Sequence, residues 1–150
     1  MSLAPNTINV GSFNSLPEAP PRLGRKSALV VDDSSTILHM ICTLLEHHKV
    51  VEVVGRAEHG LEAIDAVASL NPEIVLIDAE LPEMSGLRTA LVLSQMCPAT
   101  KVVLMTMDPS SQFREACAGC GAHAVIYKPR FLKELSAVLR NNPAPHKPVA

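Results

Sequence analysis

The stretch EIVLIDAELPEMSGL, residues 73–87, decides the fold because a short apolar run in it ends in an acidic residue. The run Ile74 to Ile77 has the length and the β-branched composition of a buried strand, and Asp78 follows it directly. A helical pattern then begins at about Leu87 and continues to Met96. The stretch therefore predicts a buried strand that ends in a carboxylate and is followed by a loop and a helix.

The same alternation of strand and helix extends outward in both directions from this stretch. The runs predicted as strands are Ala28 to Val31, Val50 to Val54, Ile74 to Ile77, Lys101 to Met105 and Ala124 to Tyr127. The segments between them carry apolar residues at helical spacing, and the last two predicted helices span about 110–119 and 131–140. Strands rich in Val, Ile and Leu with little alternation are typical of a parallel sheet covered by helices on both faces. We therefore predict an α/β domain of five strand–helix units.

The two ends of the chain differ in composition from this alternating region. Residues 1–26 combine four prolines with Asn, Ser and Gly, and residues 141–150 are again rich in proline. Such segments bury too little apolar surface to offset the entropy lost on ordering. We predict a flexible N-terminal arm over 1–26, one domain over 27–140 and a flexible C-terminal tail over 141–150.

Composition argues against several classes of protein. Aromatic residues make up 3% of the chain and Trp is absent, which disfavours a stacking platform for nucleic acid. Residues 27–140 hold nine Lys or Arg against fourteen Asp or Glu, so direct binding of nucleic acid by the domain is not expected. No apolar run approaches the length of a membrane span, and no signal-peptide pattern follows the N-terminus. We expect a reduced, cytoplasmic protein that does not enter the membrane.

One cysteine pair, Cys117 and Cys120, has the spacing of a redox or zinc motif. A zinc site needs two further ligands, and a redox pair normally lies where a strand gives way to a helix. This pair instead lies late in a predicted helix, so we interpret both thiols as small side chains packed against the sheet.

Polar residues follow four of the predicted strands and indicate the functional site. Asp32 and Asp33 follow the first strand, Asp78 the third, Thr106 the fourth and Lys128 the fifth. Parallel sheets place their working site at the carboxyl ends of the strands, so these side chains should meet in one pocket. Three neighbouring carboxylates repel one another and call for a cation such as Mg²⁺, which prefers oxygen ligands. A hydroxyl and an ammonium beside them could receive the oxygens of an anion, which points to phosphoryl transfer.

The sequence resembles the receiver domains of response regulators. The matching stretches are ALVVDDSSTI (28–37), EIVLIDAELPEMSGL (73–87), VVLMTM (102–107) and CGAHAVIYKP (120–129). The resemblance extends over about residues 27–140. It implies a flavodoxin-like, doubly wound (βα)₅ fold with the strand order 2-1-3-4-5.

The resemblance also implies roles for individual residues. Asp78 would take phosphate from the phosphohistidine of a sensor histidine kinase or a histidine phosphotransfer protein. The implied ligands of Mg²⁺ are Asp33, Asp78, the backbone carbonyl of Glu80 and, directly or through water, Asp32. Thr106 would hydrogen-bond the acyl phosphate, and Lys128 would pair with its charge.

One departure from the family concerns the switch that reads out phosphorylation. In the family a threonine, here Thr106, acts with an aromatic residue three positions before the lysine. Val125 occupies that second position here, and Tyr127 is the only tyrosine in the chain. We expect activation to alter residues 106–114 and the face formed by helix four, strand five and helix five, with little change at Val125. The same face is where a homodimer is expected.

Two other functions remain open from the sequence. One is a degenerate receiver that binds proteins independently of phosphorylation, and Val125 is its main support. The other is a phosphatase that uses an aspartyl-phosphate, because Glu80 lies two residues after Asp78, as a second acid does in such enzymes. Against the phosphatase, Asp78 follows the third predicted strand rather than the first. The preferred hypothesis is a switch that catalyses only its own phosphorylation and dephosphorylation.

Overall fold

Strands and helices alternate along residues 25–141, which are the residues described by the computed structural model. The elements in chain order are β1 (Ser27–Val31), α1 (Ser35–His47), β2 (Glu52–Ala57), α2 (Gly60–Leu70), β3 (Ile74–Asp78), α3 (Gly86–Met96), β4 (Lys101–Thr106), α4 (Ser111–Cys117), β5 (Ala124–Tyr127) and α5 (Phe131–Asn141). Single turns of 3₁₀ helix, Ala118–Cys120 and Lys128–Arg130, precede and follow β5.

The five strands form one parallel sheet in the order β2-β1-β3-β4-β5. The predicted fold class and strand order are therefore confirmed. The order reverses between β1 and β3, and the carboxyl ends of these two strands carry the predicted aspartates. In doubly wound sheets this switch point is where ligands bind.

Alternate strand residues face the two sides of the sheet, and each side has its own core. On one side, Leu29 and Val31 pack with residues of α2, α3 and α4, and Phe113 and Val125 lie against this cluster. On the other side, strand residues such as Val30 pack with α1 and α5. Because both faces of the sheet are buried, the strand sequences are continuous apolar runs rather than alternating apolar and polar residues.

Two predicted element boundaries are wrong by a few residues. The second strand was expected over Val50 to Val54 but spans Glu52–Ala57, because Val50 donates its amide to Leu45 in the turn that closes α1. Gly55 then pairs with β1 after a register shift, although its composition does not look like a strand. The fourth helix was expected to about 119, but its α-helical part ends at Cys117 and a 3₁₀ turn follows.

Most of the expected arm (1–26) and tail (141–150) lies outside the described residues. Over residues 25–141, no helix combines the length and apolar character that a membrane crossing requires.

Candidate functional site

Three aspartates meet at the carboxyl edge of the sheet. A carboxylate oxygen of each of Asp32, Asp33 and Asp78 lies within 4.8 Å of the others. Asp32 and Asp78 are buried, with 1% and 7% of their surface exposed, whereas Asp33 is exposed. In the part of the chain that the structure describes, this is the only group of three His, Cys, Asp or Glu residues close enough to share a metal ion.

The loop after β1 fixes the position of Asp32. Its amide donates to the Ala57 carbonyl of the neighbouring strand at 3.1 Å, so the pairing continues one residue beyond the strand. Its Oδ1 accepts the Ser34 amide at 3.0 Å, and the Ser34 hydroxyl caps α1 by accepting the Ile37 amide. The start of α1 and the buried carboxylate are therefore held by one hydrogen-bonded turn.

A close approach of two backbone segments shapes the loop after β3. The Glu80 amide donates to Asp78 Oδ1 at 3.2 Å, and the Gly86 amide donates to the Ala79 carbonyl at 2.9 Å. A Cβ atom at Gly86 would lie 2.0 Å from the Asp78 carbonyl oxygen. Only glycine therefore fits here without moving the backbone that carries Asp78. The Glu80 side chain is exposed.

Lys128 bridges the two buried carboxylates. Its Nζ lies 2.7 Å from Asp32 Oδ2 and 3.3 Å from Asp78 Oδ1, and 12% of its side chain is exposed. Burial alone would lower the pKa of Lys128, but the hydrogen bond to Asp32 and the negative charges of Asp78 and Asp32 outweigh it and raise the pKa above its usual value. The ammonium therefore stays charged inside the pocket.

At Asp78 the effect of burial outweighs that of the neighbouring positive charge, so the pKa is raised. Burial raises the pKa of this carboxyl, and repulsion from Asp32 adds to the effect. The charge of Lys128 and the amide of Glu80 lower the pKa but do not cancel the cost of burial. The protein groups around Asp78 thus do not fully compensate the burial of its ionised form.

Thr106 is the last residue of β4 and is 99% buried. Its Oγ1 accepts the Asp108 amide at 2.9 Å, and Asp108 Oδ1 in turn accepts the Ser110 amide at 2.9 Å. The Ser110 hydroxyl caps α4 by accepting the Phe113 amide at 3.2 Å. A series of hydrogen bonds therefore connects the Thr106 hydroxyl to the first turn of α4.

The predicted switch position, Val125, is half-buried and packs against the core on the α4 side of the sheet. Its carbonyl accepts a hydrogen bond from Arg114 Nη1 of α4 at 3.0 Å. Arg114 Nη2 also lies 3.8 Å from Glu134 Oε1 of α5, and neither residue was predicted from the sequence. The one available signal was an acidic residue in the first turn of the helix after Lys128, where a side chain can reach back to the preceding backbone.

The cysteine pair behaves as packing, as the sequence indicated. Cys117 and Cys120 are buried free thiols within the core on the α4 side. Burial raises the pKa of Cys117 to about 11, and Cys120 adds to this effect. A thiol with a raised pKa is a poor nucleophile and a poor metal ligand at neutral pH.

Comparisons with known proteins by family model, by sequence and by structure all identify relatives of the same kind. The family model described as response regulator receiver domain matches residues 28–140. The chain is 32% identical over 108 residues to a protein-glutamate methylesterase/protein-glutamine glutaminase of Pseudomonas putida, covering 72% of this chain and 29% of that protein. It is 28% identical over 111 residues to the uncharacterised transcriptional regulatory protein YvfU of Bacillus subtilis, covering 74% and 56%. The chain thus spans under a third of the methylesterase relative's length.

Solved structures show the same fold. The response regulator domain of Thermotoga maritima CheB superposes with a TM-score of 0.71 at 24% identity, covering 81% of this chain and 99% of that chain. The signal receiver domain of the putative response regulator NarL from Mycobacterium tuberculosis gives a TM-score of 0.70 at 21% identity, covering 77% and 97%.

Proposed function

The chain belongs to the response regulator receiver family, whose members are phosphoryl-accepting signalling domains, and from that premise we propose that Asp78 is the phosphorylated residue. The observation that carries the proposal is the position of the Lys128 ammonium, 3.3 Å from Asp78 and 2.7 Å from Asp32. A positive charge held beside a buried carboxylate can stabilise both that carboxylate and the phosphoryl oxygens that arrive on it.

The aspartate cluster suits Mg²⁺. Oxygen ligands about 2.1 Å from Mg²⁺ on opposite sides of the ion lie about 4.2 Å apart. The carboxylate oxygens of Asp32, Asp33 and Asp78 lie within 4.8 Å of one another, so only small side-chain movements are needed. We propose that these three carboxylates and the backbone carbonyl of Glu80 hold the ion, with Asp32 acting directly or through water. Bound Mg²⁺ would neutralise charge on the carboxylates and on the transferred phosphoryl group.

The proposed step is an in-line displacement at phosphorus. An Asp78 oxygen attacks the phosphorus of a phosphohistidine, an O–P bond forms, the N–P bond breaks, and the electron pair of that bond stays on the imidazole that leaves. Asp78 must be ionised to attack. Lys128 favours that state against the effect of burial. Asp78 then carries an acyl phosphate.

Thr106 and Lys128 are proposed to bind the oxygens of that acyl phosphate. The Thr106 hydroxyl already accepts one hydrogen bond, from the Asp108 amide, so its own hydrogen is available to donate to an anion. Lys128 can exchange part of its contact with Asp78 for the new oxygens while it keeps Asp32. A movement of the Thr106 hydroxyl would alter its hydrogen bond to the Asp108 amide and so shift the loop up to Ser110.

Receiver domains interact with histidine kinases or phosphotransfer proteins, and we propose a protein of this kind as the phosphodonor. We also propose homodimer formation through α4, β5 and α5. The esterase activity named for the methylesterase relatives is not carried over, because the chain covers only 29% of the relative described above. A degenerate, phosphorylation-independent receiver is disfavoured, because the acidic cluster and the lysine are present together.

Beryllofluoride, an analogue of the acyl phosphate, provides the test. With Mg²⁺ present, fluorine NMR of the wild-type protein should show a bound resonance, and removal of Mg²⁺ should abolish it. The Asp78→Asn variant should show none. The matched control Asp65→Asn, which neutralises an exposed aspartate on α2, should bind as the wild type does. A bound resonance of normal intensity in Asp78→Asn would contradict the proposed acceptor.

A further inference from the structure

The outer edge of β5 is held by side chains of the two helices beside it. β5 pairs with β4 along one side only, so the backbone groups on its other side need different partners. Two of these groups have such partners. The Val125 carbonyl accepts from Arg114 of α4 at 3.0 Å, and the Tyr127 amide donates to Glu134 Oε1 of α5 at 2.8 Å.

Glu134 is the centre of this arrangement. Its Oε1 takes the Tyr127 amide and lies 3.8 Å from Arg114 Nη2, while its Oε2 lies 3.2 Å from Arg130 Nε. The guanidinium of Arg130 also lies 5.3 Å from the centre of the Tyr127 ring. With 23% of its side chain exposed, Glu134 is more enclosed than either arginine. Its carboxylate is therefore held in place from two sides while it binds the strand.

The residue that Glu134 binds, Tyr127, directly precedes Lys128 in the chain. Tyr127 is the last residue of β5, and Lys128 begins the 3₁₀ turn that leads into α5. The direction of the Lys128 side chain depends on how the backbone leaves the strand at this point. Glu134 fixes the final amide of the strand, whereas pairing with β4 fixes its inner side, where Tyr127 lies opposite Thr106.

From this geometry we infer that Glu134 is a positioning residue for Lys128: through the Tyr127 amide it holds the strand end so that the ammonium reaches both Asp32 and Asp78. The inference rests on the role proposed above for Lys128. Glu134 touches no reacting atom. It acts on the acceptor Asp78 only through Tyr127, whose amide it binds, and Lys128, which follows Tyr127 and contacts Asp78. Its hydrogen bond to the strand, rather than its charge, is the part that matters.

Three variants separate these contributions. Glu134→Ala removes the acceptor of the Tyr127 amide together with the ion pairs. Glu134→Gln loses the charge but keeps a side-chain oxygen that can accept the same amide. Glu115→Ala is the matched control, because it removes an exposed carboxylate from α4.

The first measurement is the rate of phosphorylation by acetyl phosphate with saturating Mg²⁺, well below the unfolding temperature of each variant. Misplacing a reacting group by about 1 Å can cost roughly 100-fold, so we expect Glu134→Ala to be about tenfold slower than the wild type. Glu134→Gln should lie within about twofold of the wild type, and Glu115→Ala should be unchanged. A wild-type rate in Glu134→Ala, or an equal loss in Glu134→Ala and Glu134→Gln, would overturn the inference.

The second measurement does not depend on phosphorylation. The NMR shift of the Lys128 Cε should coincide in the wild type and Glu134→Gln and move in Glu134→Ala, and exchange of the Tyr127 amide should accelerate only in Glu134→Ala. If the wild type accepts no phosphate, the proposed function fails and these spectra alone decide the inference. A Lys128 signal unchanged in Glu134→Ala would refute it.

Discussion

Replacing Asp78 with asparagine should stabilise the folded protein when Mg²⁺ is absent. The substitution keeps the shape of the side chain and an oxygen that can accept the Glu80 amide, and Lys128 keeps its shorter contact with Asp32. The substitution removes the buried negative charge of the Asp78 carboxylate, whose pKa is raised by burial. The proposed phosphoacceptor is therefore expected to lower the stability of the folded protein, because like charges are gathered around it.

The magnitude follows from the distances around Asp78. Attraction to Lys128 across 3.3 Å amounts to about 5 kcal/mol at an effective dielectric constant of about 20. Repulsion from Asp32 and from Asp33, each within 4.8 Å, amounts to at least about 3.5 kcal/mol per pair at the same dielectric. These repulsions roughly offset the attraction once water screens the exposed Asp33, so the cost that remains uncompensated is the burial of the charge, which is the main cause of the raised pKa of Asp78. We expect a gain of about 1–2 kcal/mol in the free energy of unfolding.

Thermal denaturation in EDTA and in Mg²⁺ measures this gain. For a domain of this size, 1–2 kcal/mol corresponds to a rise in Tm of about 4–8 °C. Added Mg²⁺ should narrow the gap in Tm, because binding stabilises the wild type and the variant lacks one of the proposed ligands. The Asp65→Asn control should shift the free energy of unfolding by less than about 0.5 kcal/mol.

The pH dependence has a defined sign. Because the folded-state pKa of Asp78 lies above the ordinary value of 3.8, the ionised side chain costs stability as pH rises through the folded pKa. The advantage of Asp78→Asn should therefore be full above the folded-state pKa of Asp78 and shrink as pH falls through that pKa toward 3.8. A variant less stable than the wild type in EDTA, or a gap that does not respond to pH, would refute the reasoning.

Three further predictions concern the metal, the loop and the readout. Asp33→Ala should weaken Mg²⁺ binding by at least about tenfold in a calorimetric titration, with no loss of metal-free stability, because Asp33 is exposed. Gly86→Ala should lower the free energy of unfolding by about 3 kcal/mol in urea, because the added methyl group would lie 2.0 Å from the Asp78 carbonyl oxygen. Beryllofluoride should alter amide exchange across residues 106–114 with little change at Val125. Changes centred on Val125 with 106–114 silent would exclude this route.

Most of the sheet, and the clustering of Asp32, Asp33, Asp78 and Lys128 at its edge, were predictable from sequence because both follow from local patterns. Apolar runs such as Ile74 to Ile77 mark buried strands, and a polar residue at the end of each run marks the edge where functional groups gather. The second strand was misplaced because Gly55 and Arg56 do not look like strand residues. Their place in β2 is set by pairing with β1 across a register shift.

The network around Glu134 was not predictable in the same way. Arg114 and Glu134 are charged residues on two helices, and along the sequence each looks like an ordinary solvated position. Their contacts with Val125 and Tyr127 depend on how α4 and α5 flank the edge of β5. The pKa of Asp78 likewise depends on burial and on the distances to its neighbours, which no spacing in the sequence provides.

The most direct measurement is the intact mass of the protein after incubation with acetyl phosphate and Mg²⁺, followed by peptide mapping of the modified site. One phosphoryl group should be added per chain, it should map to Asp78, and it should be absent without Mg²⁺ and in Asp78→Asn. Equal labelling of Asp78→Asn, or a phosphoryl group mapped to another residue, would contradict the assignment of Asp78 as the acceptor.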